Sequence, residues 1–133
     1  TLAVPNSSST RSLSTTPPEQ QVDMATGPVY VVLVTAKVRS GCMDKFKELF
    51  GPLAKHVEAN ETGCFTYKLS IGTEDPETLC IFERYESKEY FESVHLESAL
   101  FKAFAAEIPN MFESKSFTFY LEEPMGSFGF MAK

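Results

Sequence analysis

Gly63-Cys64-Phe65-Thr66-Tyr67-Lys68-Leu69-Ser70-Ile71 and Leu79-Cys80-Ile81-Phe82-Glu83-Arg84-Tyr85-Glu86 decide the fold, with Gly72-Thr73-Glu74-Asp75-Pro76-Glu77 between them. In the first stretch Phe65, Tyr67, Leu69 and Ile71 alternate with Thr66, Lys68 and Ser70, the two-residue period of a half-buried strand. The second carries β-formers from Leu79 to Tyr85. The run between holds Gly, Asp and Pro, residues that favour turns, so the unit reads as a β-hairpin.

On the N-terminal side, Val29-Tyr30-Val31-Val32-Leu33-Val34-Thr35-Ala36-Lys37-Val38 is β-branched and apolar on both faces, a strand covered on each side. Ser40-Gly41 breaks it. Phe46, Leu49, Phe50, Leu53 and Val57 then recur at helical spacing, and Pro52 within them predicts a kink or break. Glu61-Thr62-Gly63 ends this helix, with Gly63 suited to a left-handed turn. After the hairpin, Ser87 is a good N-cap, with Glu89 in the first turn of a helix carrying Phe91, Val94 and His95. Ser98 caps a further helix with Phe101, Phe104, Ala105 and Ile108 on one face, which Pro109 closes. Phe117, Phe119 and Leu121 alternate with Thr118 and Tyr120 in a last strand. The order β-α-β-β-α(α)-β is the ferredoxin-like α+β arrangement, a four-stranded antiparallel sheet with its helices on one face. The other face is apolar as well, so a partner is expected to cover it.

The chain has 133 residues, room for one domain with a real core. The expected organisation is a Ser/Thr/Pro-rich disordered tail over 1–28, the domain over 29–123, and a short C-terminal tail over 124–133. The leader is too poor in apolar residues to offset its ordering entropy. It reads as a plain tail, or as the remnant of an organelle transit peptide. Acidic residues outnumber basic ones by 18 to 12, a balance that repels phosphate backbones and argues against nucleic-acid binding. No apolar run approaches the roughly 20 residues needed to cross a bilayer, so a soluble, non-membrane protein is expected. Cys42, Cys64 and Cys80 are odd in number and lack metal-like spacing, and Cys64 and Cys80 read as reduced core residues. The expected compartment is therefore the cytoplasm, or a plastid or mitochondrion if the leader is a transit remnant.

Three motifs occur in one order: Gly63-Cys64-Phe65-x-Tyr67, Phe82-Glu83-Arg84-Tyr85-Glu86-Ser87, and His95-Leu96-x-Ser98-x-x-Phe101. Together they resemble the antibiotic biosynthesis monooxygenase (ABM) family over roughly Val29 to Glu123. The resemblance implies two ferredoxin-like sheets packed face to face as a homodimeric α/β barrel. It also implies oxidation of a small phenol or quinol by O₂ with no cofactor, neither metal nor flavin. The chain departs from the family's pattern at two places: Tyr85 stands at a common Trp position, and Leu100 where a second His is often found. Haem-degrading relatives need a Trp, a helix His and an Asn on the first strand. This chain has no Trp and no Asn in Val29–Val38, so haem degradation is not expected.

Such oxidation needs a group to remove a phenolic proton, and an apolar pocket that excludes water. His95, one turn from Phe91, is the candidate base by its place in the family-like stretch; alternatively it ties the helix to a backbone carbonyl. Glu83, on the strand face of Ile81 and Tyr85, is the second catalytic candidate, since a carboxylate there must be paired or have a raised pKa. At about 100° per residue His56 falls at the edge of the first helix's stripe and Asn60 inside it, so both are candidate substrate contacts. Arg84 faces the other way; it either offsets an anionic intermediate or forms a surface ion pair with Glu86 or Glu92. Tyr67, Phe91 and Phe101 complete the candidate substrate-binding set as aromatic walls.

No Gly-rich phosphate loop, metal-ligand spacing or serine elbow is present. Three readings stay open: a cofactor-independent monooxygenase, a proton-transfer enzyme such as an isomerase, and a non-catalytic small-molecule-binding dimer linked to stress.

Overall fold

The computed structural model describes residues 27–124 and 126–131. The expected leader, apart from its last two residues, lies outside them. Strand β1 (Tyr30–Val38) leads to helix α1 (Met43–Asn60), then to the hairpin of β2 (Cys64–Ile71) and β3 (Thr78–Tyr85). A short helix α2 (Lys88–Tyr90) runs straight into a π-helical turn (Phe91–His95). Helix α3 (Ala99–Met111) and strand β4 (Phe112–Leu121) complete the domain. The sheet is antiparallel throughout, in the order β2-β3-β1-β4. This is the ferredoxin-like fold.

Register assigns the two faces. Tyr30, Val32 and Val34 on β1 stand beside Tyr85, Glu83 and Ile81 on β3, and beside Leu121, Phe119 and Phe117 on β4. Tyr67 and Leu69 on β2 oppose Glu83 and Ile81. This set faces the helices; Tyr30, Val32, Val34, Ile81 and Tyr85 join Phe46, Phe50, Leu53, Val57, Phe104 and Met111 in the core, while Phe117, Phe119 and Leu121 on the edge strand stay exposed. The opposite face carries Leu33, Phe82, Arg84 and Tyr120, together with Val31, which is buried within the single chain.

Both expected caps form: Ser87 Oγ accepts from Tyr90 N at 3.0 Å, and Ser98 Oγ from Phe101 N at 3.1 Å. Four local expectations need correction. Of the kink or break expected at Pro52, the break is absent: helix α1 is continuous through it. Glu48, whose carbonyl the proline leaves without a donor, is exposed, so water can satisfy it. Helix α3 does not close at Pro109 but continues to Met111, which is fully buried. Its last carbonyls find donors outside the helix: Arg39 N reaches Met111 O at 2.7 Å and Arg39 Nη2 reaches Pro109 O at 3.2 Å. Gly63 does not adopt a left-handed conformation. It is required for space, since a Cβ there would stand 2.5 Å from the Tyr90 ring. Phe65, expected inside, is 50% exposed because a bulge between Cys64 and Thr66 breaks the strand's alternation.

Candidate functional site

Between α3, the π turn and the sheet lies a cavity of about 350 Å³. Phe91, Phe101, Phe104, Ile108, Val32 and Val34 supply apolar wall; Tyr67, Glu83 and His95 supply polar atoms. Phe117 and Phe119, 53% and 49% exposed, and Lys115 border it from β4, the edge strand. The helices leave this corner of the sheet open, so the mouth is aromatic.

His95 is brought here by the π turn. The 13-atom ring of an α-helix widens to Leu96 N–H donating to Phe91 O at 3.0 Å, and this places both Phe91 and His95 inward. Such turns are frequent at functional sites. The imidazole is 1% exposed and sits among Phe101, Tyr67, Tyr85 and Phe91, with ring centroids 4.8, 5.2, 5.4 and 5.9 Å away. Its Nδ1 lies 2.8 Å from Glu61 Oε1, and its Nε2 lies 3.5 Å from the Tyr67 hydroxyl, a long contact. Glu61 is itself only 3% exposed, and its Oε2 has no hydrogen-bond partner among the described residues. Burial holds the His95 pKa below its ordinary value, while Glu61 pulls in the opposite direction.

Glu83 points from β3 into the same space, and its Oε1 accepts from Tyr85 Oη at 2.7 Å. Burial pushes its pKa up to about 8, the Tyr85 bond partly opposing and Glu61 adding to the rise. At neutral pH it is therefore mostly the neutral acid, able to donate a hydrogen bond into the cavity. Burial also raises Tyr67 and Tyr85, which stay protonated, and the Cys64 thiol, pushed up to about 12.

The raised Glu83 pKa has a signed consequence for stability. In the unfolded chain the group ionises near 4.5, in the fold near 8. Its contribution is therefore fully present below pH 4.5 and is lost as pH rises through 8, by at most about 1.4 kcal/mol per pH unit. Glu83→Gln removes the ionising group. Thermal melts should show the variant close to wild type at pH 5 and several degrees more stable at pH 9. A difference that stays constant across that range would mean Glu83 is ionised throughout.

Of the sequence-derived candidates, the fold gathers His95, Glu83, Tyr67, Phe91 and Phe101 around one cavity. His56, Asn60 and Arg84 lie elsewhere. Asn60, the last residue of α1, is exposed rather than inside the apolar stripe, and its amide Nδ2 donates to His56 O at 3.1 Å and lies 3.2 Å from His56 Nδ1. Arg84 is on the opposite sheet face, bonded bidentately to Glu122 at 2.6 and 2.9 Å rather than to Glu86 or Glu92. Glu122 reaches it because β4 continues its pairing past its end, Glu122 N donating to Val29 O. Sequence reasoning missed Glu61, which read only as a helix end. Its partner is 34 residues away, and no local pattern announces it. Among the described residues no three His, Cys, Asp or Glu side chains converge to hold a metal.

The chain is thus a ferredoxin-like α+β domain with an aromatic cavity between its helices and sheet, into which one histidine and one glutamate project. The family model for antibiotic biosynthesis monooxygenase matches residues 29–107, and the chain belongs to that family. No functionally curated protein matches it. Among solved structures it is similar to a candidate antibiotic biosynthesis monooxygenase from Caulobacter crescentus CB15, with 23% identity and a TM-score of 0.69 over 79% of this chain and 99% of that one. It is also similar to a conserved protein from Methanosarcina mazei Go1, with 19% identity and a TM-score of 0.68 over 75% and 98%. A third, a candidate antibiotic biosynthesis monooxygenase from Nitrosomonas europaea, has 21% identity and a TM-score of 0.66 over 72% and 91%. At these identities the likeness speaks for the fold alone. No helix among the described residues is long and apolar enough to cross a membrane.

Proposed function

We propose that the protein is a monooxygenase that oxidises a small phenol or quinol with O₂ in this cavity, needing no cofactor, and that it works as a homodimer. The observation that carries the reading is His95, with Nδ1 on Glu61 and Nε2 toward an otherwise aromatic cavity. Nε2 takes the phenolic proton, and the anion that remains is electron-rich at its ring carbons. One such carbon bonds to O₂ to give a hydroperoxide, and loss of water leaves a quinone. A phenol with a free ortho or para position plus O₂ thus gives a quinone and water, and a hydroquinone with a free ring carbon gives a hydroxyquinone and water, the substrate being its own reductant. Neutral Glu83 donates a hydrogen bond to the substrate oxygen as charge develops there. The cavity is at the small end of the roughly 300–1,000 Å³ typical of ligand sites, so one or two rings fit.

A base and a neutral acid sharing one cavity also suit enolisation, the alternative proton-transfer reading. The homodimer is supported by family membership and by the apolar open face of the sheet, where Leu33 and Phe82 are neighbours. Oxygen uptake with one- and two-ring hydroquinones and naphthols tests the oxygenase reading. Consumption above the protein-free rate, with matching quinone absorbance, is expected for at least one of them. Uptake equal to the protein-free rate across the panel overturns it. Solvent-deuterium exchange into an enolisable ketone without oxygen uptake would favour proton transfer, and saturable binding alone a non-catalytic role.

A further inference from the structure

We propose that Glu61 is the positioning residue that makes His95 a base, holding its Nδ1–H so that Nε2 stays unprotonated toward the cavity. The inference rests on reading His95 as the base and assigns what sets its tautomer. Glu61 is rigid: its N–H donates to Val57 O and its carbonyl accepts from Cys64 N, both at 2.9 Å, so the turn from α1 into β2 fixes the carboxylate. His95 is equally fixed by the π turn and by aromatic rings on several sides. A carboxylate can only accept at Nδ1, which leaves the imidazole lone pair on Nε2. There Tyr67 Oη at 3.5 Å is too distant to hold it firmly, and a ligand hydroxyl can replace it.

The unpartnered Oε2 of Glu61 adds a second argument. A buried carboxylate with one oxygen unsatisfied is poorly compensated, and a positive charge on its neighbour relieves it. When a ligand O–H breaks and an Nε2–H forms, the imidazolium and Glu61 become an ion pair and the negative charge moves to the ligand. In the empty site, burial opposes taking that proton from water. The other groups around the imidazole are Tyr67 on β2, Glu83 and Tyr85 on β3 and, through its charge, His56 on α1. None of them offers a second partner to Nδ1.

The chain has only two histidines, so nitrogen-15 NMR of the full chain carries few imidazole signals and makes a clean test. At pH 7 the His95 signals should report Nδ1 protonated and Nε2 bare. In Glu61→Gln, which keeps the shape and loses the charge, the acid titration midpoint of His95 should fall by about one to three pH units. A wild-type His95 protonated at Nε2, or an unchanged midpoint in folded Glu61→Gln, would overturn the assignment. If the variant does not fold, the wild-type tautomer decides. No substrate is needed, so an absence of oxygen uptake would count against the oxygenase reading and leave this result standing.

Discussion

His95→Ala is expected to lower turnover of any phenol the wild type oxidises by about two to four orders of magnitude, the usual contribution of a positioned general base. The loss should fall mainly on kcat, because Phe91, Phe101 and Phe104 still wall the cavity and retain most of the binding. The wild-type pH profile carries the same information with two signs. Activity requires neutral His95, whose pKa is held below 6.5 by burial, so the acid limb should lie below pH 6.5. It also requires the acid form of Glu83, so an alkaline limb should appear near pH 8 and vanish in Glu83→Gln. Steady-state oxygen uptake from pH 5 to 9 measures both limbs. Full activity in folded His95→Ala would remove this residue from the chemistry.

Leu33→Asp is expected to convert the protein from dimer to monomer at micromolar concentration. Leu33 sits on the open face between Phe82 and Thr118, pointing away from the helices, and is half-buried within the single chain. An unpaired carboxylate in a dimer interface costs at least about 2 kcal/mol, and two-fold symmetry doubles this. About 4 kcal/mol raises the dissociation constant about a thousandfold. Light scattering should report a dimeric mass for wild type and a monomeric one for the variant, with a far-ultraviolet spectrum unchanged. A monomeric wild type, or a folded variant that remains dimeric, would exclude this face as the interface. Thr35→Lys, an exposed position on the same face, supplies a milder version should Leu33→Asp fail to fold.

The hairpin, the α1 stripe and both serine caps were legible because each rests on contacts within a few residues. The alternation of Tyr67, Leu69 and Ile71 is local, and so is the distance from Ser98 Oγ to Phe101 N. Misreadings arose where distant contacts overrode local rules. Pro109 ought to end a helix, yet Arg39, 70 residues away, donates to the carbonyls at that end. Gly63 suggested a left-handed turn, but what it makes room for is Tyr90. Arg84 was paired in expectation with Glu86 or Glu92, near in sequence, and its partner is Glu122, 38 residues on.

By itself the sequence determined the order of elements, the two apolar sides of β1, the family and the presence of a histidine at the junction after Phe91. These depend on periodicity and on short motifs, which the chain displays without folding. Only the tertiary structure decided that Glu61 meets His95, that Glu83 and Tyr85 bond beside them, and that His56 and Asn60 stay outside. The π turn rotates His95 inward by one residue's worth of helix, and the turn after α1 carries Glu61 back across 34 residues to meet it. Charge, burial and tautomer at the site follow from that meeting, because a pKa depends on what surrounds a group in space rather than on what precedes it in the chain.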